Sequence, residues 1–442
     1  MTELSPPKSI DPLTVLPREL AEQILEYLNF RQLMKTCLVS KEWAQFIRRT
    51  PNLWRHLDLT RANRKVKNAF ISRAINIGRS KLKTATLNNL FEFDKALSAL
   101  VRVCPLEELN LFNTGLLAND IVGVLKAAKN LRTLRVYKGT TLSSRVLIEI
   151  LKNASPALET LLCENMSGNA RPHEFSISDC DFPNMQRLDL SWSYGSPAIL
   201  SVLQSLPKMP NLRALKLHQT SGQNRVVCSA DLSRLTQLSA LDLLIDVMWA
   251  NHIILPPTIK SLAIGTWSPR HARFFDDGPS FEPLQWSLPL LEELRLCAAE
   301  VPFNEFELAL RTSGRPDTQQ PARLHTLSMT ASDVRGKLTK DTLSHPRLAE
   351  LKHLSLECCH GVDDSHLSII AITLPKLQSL NVSGTEVTGA GIKDVINNGL
   401  KKLVANNCRF IGLDAIQWAR TQGVQVENRN TDATTGGKKL RY

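Results

Sequence analysis

The sequence predicts an α/β protein in which a short helical module precedes a long array of strand-and-helix repeats. Three observations support this fold class. The pattern L-x-x-L-x-L, with other aliphatic residues as substitutes, returns about thirteen times between residues 82 and 405. Apolar residues at helical spacing occupy the stretches between its copies. Residues 13–59 do not fit the pattern and carry apolar stripes of their own.

Residues 13–59 are predicted to form three short helices. Pro17 suits the first position of the first helix, and Ser40 is a good N-cap for the third, which carries Trp43. About 45 residues provide only a marginal core, so the many large apolar side chains of this module predict a partner that covers some of them. A module that only caps the open end of the repeat array is the alternative.

The segment LPRELAEQILEYLNFRQLMKTCLVSKEWAQFIRRTPNLW resembles an F-box, with the L-P, I-L-x-x-L, V-S-x-x-W and L-W marks of that family. The resemblance implies binding to Skp1 and, through Skp1, to a cullin. It places Trp43, Leu53 and Trp54 at the junction between the F-box and the first repeat. It assigns to the Skp1-binding surface the residues Leu16, Pro17, Leu20, Ile24, Leu25, Leu28, Leu33 and Val39.

Residues 60–81 are interpreted as a basic linker or first coil. Between residues 61 and 83 the chain carries eight Lys or Arg and no Asp or Glu, and its overall net charge is +12. These charges favour nucleic acid or another acidic partner. Alternatively, the segment is an amphipathic helix whose basic side is solvated, because apolar residues recur at helical spacing. Those apolar residues are Val66, Phe70, Ile71, Ala74 and Ile77.

Residues 82–425 are predicted to form a leucine-rich-repeat solenoid of about thirteen coils, followed by a flexible tail at residues 426–442. Copies of the pattern begin 21 to 33 residues apart, as in leucine-rich repeats. Because residues two apart in a strand share a face, Leu109 and Leu111 are expected to point inward. One coil cannot bury its leucines alone, so stacked coils should form a curved parallel sheet inside and helices outside.

The outward positions of the concave sheet face are candidates for binding a protein substrate. Their mixture of polar and aromatic residues suits recognition of a protein surface, and a merely solvated face is the alternative. The candidates are Phe112, Arg135, Tyr137, Asp189, Lys216, His218, Glu293 and Arg295. Two long coils, 259–290 and 291–323, contain insertions that are expected on the surface. The first insertion includes Trp267, Arg270, Arg273, Phe274 and Phe275.

Cysteine and histidine residues do not predict a metal or cofactor site. Nine cysteines without a C-x-x-C pair indicate reduced thiols rather than a disulfide framework. Cys359 and Cys408 each fall eight residues after the first leucine of a coil. The coils here resemble the cysteine-containing repeats of F-box proteins, which place an interior cysteine or asparagine at that position. The cluster of Cys358, Cys359, His360, Asp363, Asp364 and His366 offers zinc-ligand types at a spacing that fits no usual site.

Several further classes of protein are disfavoured. No nucleophile elbow, P-loop or dinucleotide fingerprint is present; the nearest match, Gly389-Ala390-Gly391, is predicted to lie in a repeat turn, so we expect no enzyme. No secretory signal is visible, and polar residues interrupt the most apolar stretch, 238–255. We therefore expect an intracellular protein of the nucleus, the cytoplasm or both, with no membrane partner.

Together the two parts resemble the F-box/leucine-rich-repeat family, the substrate-recognition subunits of SCF-type ubiquitin ligases. The resemblance implies that the F-box docks on Skp1 while the arc presents a protein for ubiquitylation. Two alternatives stay open: a basic scaffold that binds nucleic acid or chromatin, and a Skp1-bound adaptor without a ubiquitylation role. The stretch LWRHLDLTRANRKVKNAF is also similar to fungal proteins with tetratricopeptide repeats, an F-box and leucine-rich repeats, which points to the nucleus.

Overall fold

The chain divides into two compact units, Met1–Arg187 and Leu188–Tyr442. None of the helices in the described ranges combines the length and hydrophobicity that crossing a bilayer requires. The computed structural model describes residues 11–60, 68–78, 81–88, 94–112, 118–137, 142–167, 182–192, 198–219, 226–245, 247–265, 288–297, 324–331 and 338–429.

Hydrogen-bonded caps begin the helices of the amino-terminal module. Asp11 accepts from the Leu13 N–H at 3.0 Å, and Ser40 accepts from the Trp43 N–H at 3.2 Å. Asn29 and Gln32 form a reciprocal capping box with two bonds of 2.9 Å. The helices are α1 (Pro12–Val15), α2 (Arg18–Glu26), α3 (Phe30–Thr36) and α4 (Lys41–Arg49), followed by a 3₁₀ turn (Pro51–Trp54).

The module differs from the prediction at its beginning. The short helix α1 was not predicted, because four residues are too few to show a period in the sequence. Pro17 is the N-cap of α2 in an extended conformation rather than its first helical residue, so α2 begins one residue later than predicted. The predicted Ser40 cap of α4 is confirmed.

The parallel sheet of the first unit begins inside the predicted module, because β1 (His56–Asp58) already pairs in parallel with β2 (Thr84–Asn88). Strands β3 (Glu108–Phe112), β4 (Thr133–Tyr137) and β6 (Thr160–Ser167) follow in sequence order, and their pairs are also parallel. Leu87, Leu111 and Val136 lie in register across β2, β3 and β4 and are buried. The elements are β1 (His56–Asp58), α5 (Asn68–Gly78), β2 (Thr84–Asn88), α6 (Asp94–Val103), β3 (Glu108–Phe112), α7 (Ala118–Ala127), β4 (Thr133–Tyr137), β5 (Leu142–Ser143), α8 (Ser144–Asn153) and β6 (Thr160–Ser167).

The second unit continues the same pattern of strands in sequence order. Its elements are β7 (Arg187–Trp192), α9 (Ala198–Ser205), a 3₁₀ turn (Leu206–Lys208), β8 (Ala214–Gln219), β9 (Val226–Asp231), β10 (Ala240–Leu244), β11 (Val247–Ile254), β12 (Ser261–Gly265), β13 (Glu293–Cys297), β14 (Thr326–Thr330), α10 (Lys340–Leu343), a 3₁₀ turn (Pro346–Leu348), β15 (His353–Ser355), α11 (Asp364–Thr373), β16 (Ser379–Asn381), α12 (Gly389–Asn397), β17 (Lys402–Val404), α13 (Leu413–Thr421) and β18 (Gln425–Glu427).

Every predicted copy of the leucine pattern carries a strand of the parallel sheet. The predicted fold class, a short helical module followed by a leucine-rich-repeat solenoid, is thereby confirmed. The outer layer departs from the prediction in two coils of the second unit, where β9 and β11 replace the expected helices and pair in a separate two-stranded parallel sheet. Their sequences, VVCSAD and VMWANHII, are rich in residues that favour strands.

A row of left-handed backbone positions links the C-terminal coils. Ala331, Cys358, Gly384 and Asn407 have φ angles between 52° and 68°, and each lies seven residues after the first leucine of its coil. The Cys358 N–H donates to the Ser383 carbonyl at 2.7 Å, and the Gly384 N–H donates to the Asn406 carbonyl at 2.8 Å. These bonds join each coil to the next beyond the end of its strand.

Candidate interaction surfaces

The helical module carries an unusual amount of exposed apolar surface. Six of the eleven large apolar side chains that are exposed in the described residues lie between residues 15 and 39. Leu20 and Ile24 on α2 and Tyr27 at its C-cap follow helical spacing along one face, and Tyr27 is 90% exposed. Leu38 and Val39 lie just after α3 and are 84% and 67% exposed, and Val15 at the end of α1 is also exposed.

The eight residues that the F-box resemblance assigned to Skp1 binding divide into three groups by burial. Pro17, Leu20, Ile24 and Val39 are exposed, and Leu16 and Leu28 are half-buried. Leu25 and Leu33 lie in the core of the module, at 4% and 6% exposure. Val15, Tyr27 and Leu38 are exposed apolar residues that the resemblance did not select, although the position of Tyr27 three residues after Ile24 was a signal for it.

Trp54 connects the module to the first coil. Its indole N–H donates to the Ile47 carbonyl at 2.9 Å, and its ring meets Phe30 edge-on with centroids 6.1 Å apart. A side chain at Gly78, the last residue of α5, would lie 3.2 Å from the Cβ of Trp54. Leu53 is buried beside it, whereas the Trp43 indole N–H bonds Asp11 at 3.1 Å within the module.

In the first unit, three predicted substrate-binding residues lie together on the outward face of the sheet. Phe112 and Tyr137 are register partners on β3 and β4, and their rings stack with centroids 4.4 Å apart and planes 8° from parallel. Arg135 forms an ion pair with Glu108 and donates to Asn110 at 3.3 Å. The aromatic pair is half-buried, so it offers a flat apolar platform beside a guanidinium that is already paired.

In the second unit, several predicted substrate-binding residues are paired with side chains of neighbouring coils. His218 lies 2.8 Å from Asp242, Lys216 lies 3.9 Å from the buried Asp189, and Glu293 accepts from Ser261 at 3.0 Å. Because these side chains already have partners, an incoming ligand has little to gain from them.

Arg295 differs from these residues. It is exposed, and its register neighbours are the small residues Ala263 and Ser328. No ion pair of Arg295 is found within the described part of the chain.

Much of the predicted basic segment and both insertions lie outside the described residues. Arg61, Arg64, Lys65 and Lys67 are among those positions, as are residues 266–287 and 298–323. The described part of the basic segment contains α5, with Ala74 and Ile75 buried and Arg73 exposed. The predicted helix is therefore present at residues 68–78, with Ile77 half-buried. Lys83 is ion-paired with Glu107 at 2.8 Å.

The cysteine cluster belongs to the repeat structure. Cys359 and Cys408 are buried as predicted, and their thiols donate to the carbonyls of Met329 and Val382 at 3.2 and 3.1 Å. Burial raises the pKa of the Cys358 and Cys408 thiols, which opposes formation of the reactive thiolate. Among the described residues, no group of three or more Cys, His, Asp or Glu is placed to hold a metal ion.

The Gly389-Ala390-Gly391 sequence lies in the first turn of α12 and not in a repeat turn as predicted. A Cβ atom at Gly391 would meet Asp364 Oδ1 at 2.5 Å, and one at Gly389 would meet the Cβ of Ala415 at 2.8 Å. Asp364 in turn accepts from the Thr388 N–H at 2.7 Å and from its hydroxyl at 2.6 Å. These glycines therefore allow neighbouring helices to approach closely.

Comparison with known families agrees with this architecture. Residues 13–60 match the family model described as F-box-like. The fold and this match define the class of the protein: an F-box-like domain joined to leucine-rich repeats.

Solved structures that resemble the chain include bacterial and yeast proteins. The internalin InlF of Listeria monocytogenes is 15% identical, with 86% of this chain and 89% of that chain covered and a TM-score of 0.41. A chain in the structure of the yeast Rad7 and Elc1 complex is 13% identical, with 95% of this chain and 83% of that chain covered and a TM-score of 0.41. A leucine-rich-repeat protein of Leptospira interrogans is 14% identical, with 86% of this chain and 97% of that chain covered and a TM-score of 0.32. No curated protein matches the chain significantly.

Proposed function

We propose that this protein is the substrate-recognition subunit of an SCF-type ubiquitin ligase. In this proposal the F-box-like module binds Skp1, Skp1 connects it to a cullin, and the leucine-rich repeats hold the protein to be ubiquitylated. The chain contributes positioning, and the recruited subunits supply the chemistry.

The observation that carries the proposal is the exposed apolar surface of the module. Leu20, Ile24 and Leu38 are 47%, 54% and 84% exposed, although the module has a core of its own beneath them. Burying each such side chain on a partner contributes about 1.5–3 kcal/mol, which is enough for a stable complex when several act together. The F-box-like family match over residues 13–60 favours a Skp1-type protein as that partner.

The first test measures Skp1 binding after a charge is placed in the apolar surface. Ile24→Glu and Leu38→Glu should each weaken binding to purified Skp1 by about a hundredfold, because a carboxylate would be buried without a partner. Both residues are exposed, so circular dichroism and the thermal midpoint should stay unchanged. Phe410→Glu is the matched control, since Phe410 is a similarly exposed apolar residue in the last coils. Unchanged Skp1 affinity in both module variants would contradict the proposal.

A second test separates the ligase subunit from a Skp1-bound adaptor without a ubiquitylation role. In cells that lack the protein, the original chain should restore turnover of the protein that it binds, and the Ile24→Glu chain should not. Equal turnover with both chains, although only the original chain co-purifies with Skp1, would favour the adaptor.

A further inference from the structure

We propose that a row of basic side chains in the C-terminal coils binds a short, extended, acidic segment of a protein. This basic row consists of His325, Lys352, His353, Lys401 and Lys402. It lies where strands β14, β15 and β17 begin. The inference rests on the proposed function only for identifying that segment as part of the ligase substrate.

Backbone hydrogen bonds hold the basic row on successive coils. The Lys352 N–H donates to the His325 carbonyl at 2.9 Å, the Gln378 N–H to the Lys352 carbonyl at 2.8 Å, and the Lys401 N–H to the Gln378 carbonyl at 2.9 Å. One residue further along each strand, His353, Ser379 and Lys402 are register partners. Two parallel lines of side chains therefore cross the sheet at right angles to its strands.

The positive charge of the basic row is not cancelled locally. In these four coils neither line contains an Asp or Glu. Glu350, which lies two residues before Lys352 in the chain, already accepts two bonds from Lys376, at 2.7 and 2.8 Å. Within the described residues, no ion pair involves Lys352, Lys401 or Lys402. Lys401 is exposed and the other two lysines are half-buried, so all three ammonium groups can meet a ligand.

Carboxylates mark one end of the basic row and thereby limit the length of its ligand. On β13, Glu293 is bonded by Ser261, and the preceding Glu292 lies 3.9 Å from Lys260. At the other end the row stops at β17, because β18 begins with the uncharged Gln425. Adjacent strands are about 4.8 Å apart, so four strands span about 14 Å, the length of about four extended residues.

The composition of the basic row favours a peptide over nucleic acid. It contains no Phe, Tyr or Trp, and its aromatic rings are the two small imidazoles of His325 and His353, so it offers bases little stacking area. Three lysines are few compared with the six to ten or so phosphate contacts of a typical DNA-binding protein. Between the lysines lie Gln378 and Ser379, whose side chains can exchange hydrogen bonds with a peptide.

The test compares two double variants of the full chain that change its net charge equally. Lys352→Glu with Lys401→Glu reverses the basic row, whereas Lys340→Glu with Arg409→Glu reverses two exposed cations of the same unit outside it. The probe is a labelled peptide of alternating glutamate and serine, about eight residues long, with a glutamine-for-glutamate analogue. Fluorescence anisotropy is measured at low and at physiological salt, with single- and double-stranded DNA as competing ligands.

We expect the row variant to bind the acidic peptide about tenfold more weakly and the control variant to bind it within about twofold of the original chain. The glutamine analogue should not bind. Equal losses in both variants would show that only net charge matters and would overturn the proposal. DNA binding that is tighter than peptide binding and is lost in the row variant would overturn it in favour of nucleic acid. Skp1 affinity, measured in parallel, should be the same in all chains, so failure here is distinguishable from failure of the proposed function.

Discussion

Single side chains at the helix starts support the C-terminal coils. Asp363, the N-cap of α11, accepts from the Ser365 N–H at 3.0 Å and the His366 N–H at 3.3 Å. It also accepts from the Ser365 hydroxyl at 2.5 Å and lies 2.7 Å from His366 Nδ1. The bonds from Ser365, then those from His366, lower the pKa of Asp363 from 3.8 to about 2. One carboxylate thus holds the first turn of the helix.

The lowered pKa of Asp363 predicts a pH dependence confined to α11. A carboxyl whose folded pKa lies below its unfolded value stabilises the fold above the unfolded value, and this contribution disappears as the pH falls from about 4 towards about 2. The protection factors of the α11 amides, which correct for the intrinsic pH dependence of exchange, should therefore fall over this range more in the original chain than in Asp363→Asn. Asp363→Ala should cost about 1 kcal/mol already at neutral pH. Identical pH profiles for the original chain and Asp363→Asn would contradict this assignment.

Two glycines in helices should respond oppositely to the same substitution. Gly391→Ala places a Cβ 3.0 Å from the Asp364 backbone, so it should destabilise the chain by about 1–3 kcal/mol despite the better helix propensity of alanine. Gly123, in the middle of α7, has no neighbouring atom within 4 Å of the position that a Cβ would take, so Gly123→Ala should stabilise by up to about 1 kcal/mol. Thermal midpoints of the two variants give the signs. Stabilisation by Gly391→Ala would mean that α11 and α12 are not closely packed.

At the element scale, α2 shows what its sequence could and could not predict. Its apolar residues lie on two adjoining stripes, with Ala21 and Leu25 buried and Leu20 and Ile24 exposed. The sequence shows that the helix is amphipathic, but both stripes are apolar. Which of them faces the core depends on packing against the 3₁₀ turn at Pro51–Trp54, which periodicity alone does not reveal.

The two stripes of α2 predict a separation of folding from binding. Leu25→Ala should cost about 2–5 kcal/mol of stability, because it leaves a cavity in the core of the module. Leu20→Ala should leave stability within about 0.5 kcal/mol of the original chain and weaken Skp1 binding directly. Denaturant unfolding followed by tryptophan fluorescence, together with Skp1 titration, measures both effects. A large stability loss for Leu20→Ala would place the exposed stripe in the core instead.

The strands were easier to predict than the outer layer. Each strand is marked by leucines two and three apart, and a one-residue shift would expose the leucine side chains. The outer segments only cover the sheet, so any structure that buries one apolar face suffices. The segments 226–231 and 247–254 form strands β9 and β11 instead of helices, favoured by their β-branched and aromatic residues.

At the scale of the whole molecule, the interaction surfaces were predicted unevenly. The F-box motif identified the module from sequence, because its marks are local in the chain. The basic row could not be found in this way, since His325, Lys352 and Lys401 are separated by dozens of residues and meet only when coils stack. For His218 and Lys216 the stacking of coils has the opposite consequence. The sequence predicts them as binding residues, but carboxylates of neighbouring coils pair with them and make them less available to a ligand.

The stacking of coils also predicts how far the destabilisation caused by a core substitution extends along the chain. In a solenoid each coil contacts only its neighbours, so stability is nearly a sum of local terms. Leu380 on β16 is fully buried, and Leu380→Ala should cost about 2–5 kcal/mol. Hydrogen exchange should accelerate at the amides of β15, β16 and β17, and change little at β8, β10 and β12. Ser379→Ala, on the outward side of the same strand, is the control and should leave every coil protected. Uniform acceleration across the second unit in Leu380→Ala would show instead that its coils unfold as one cooperative body.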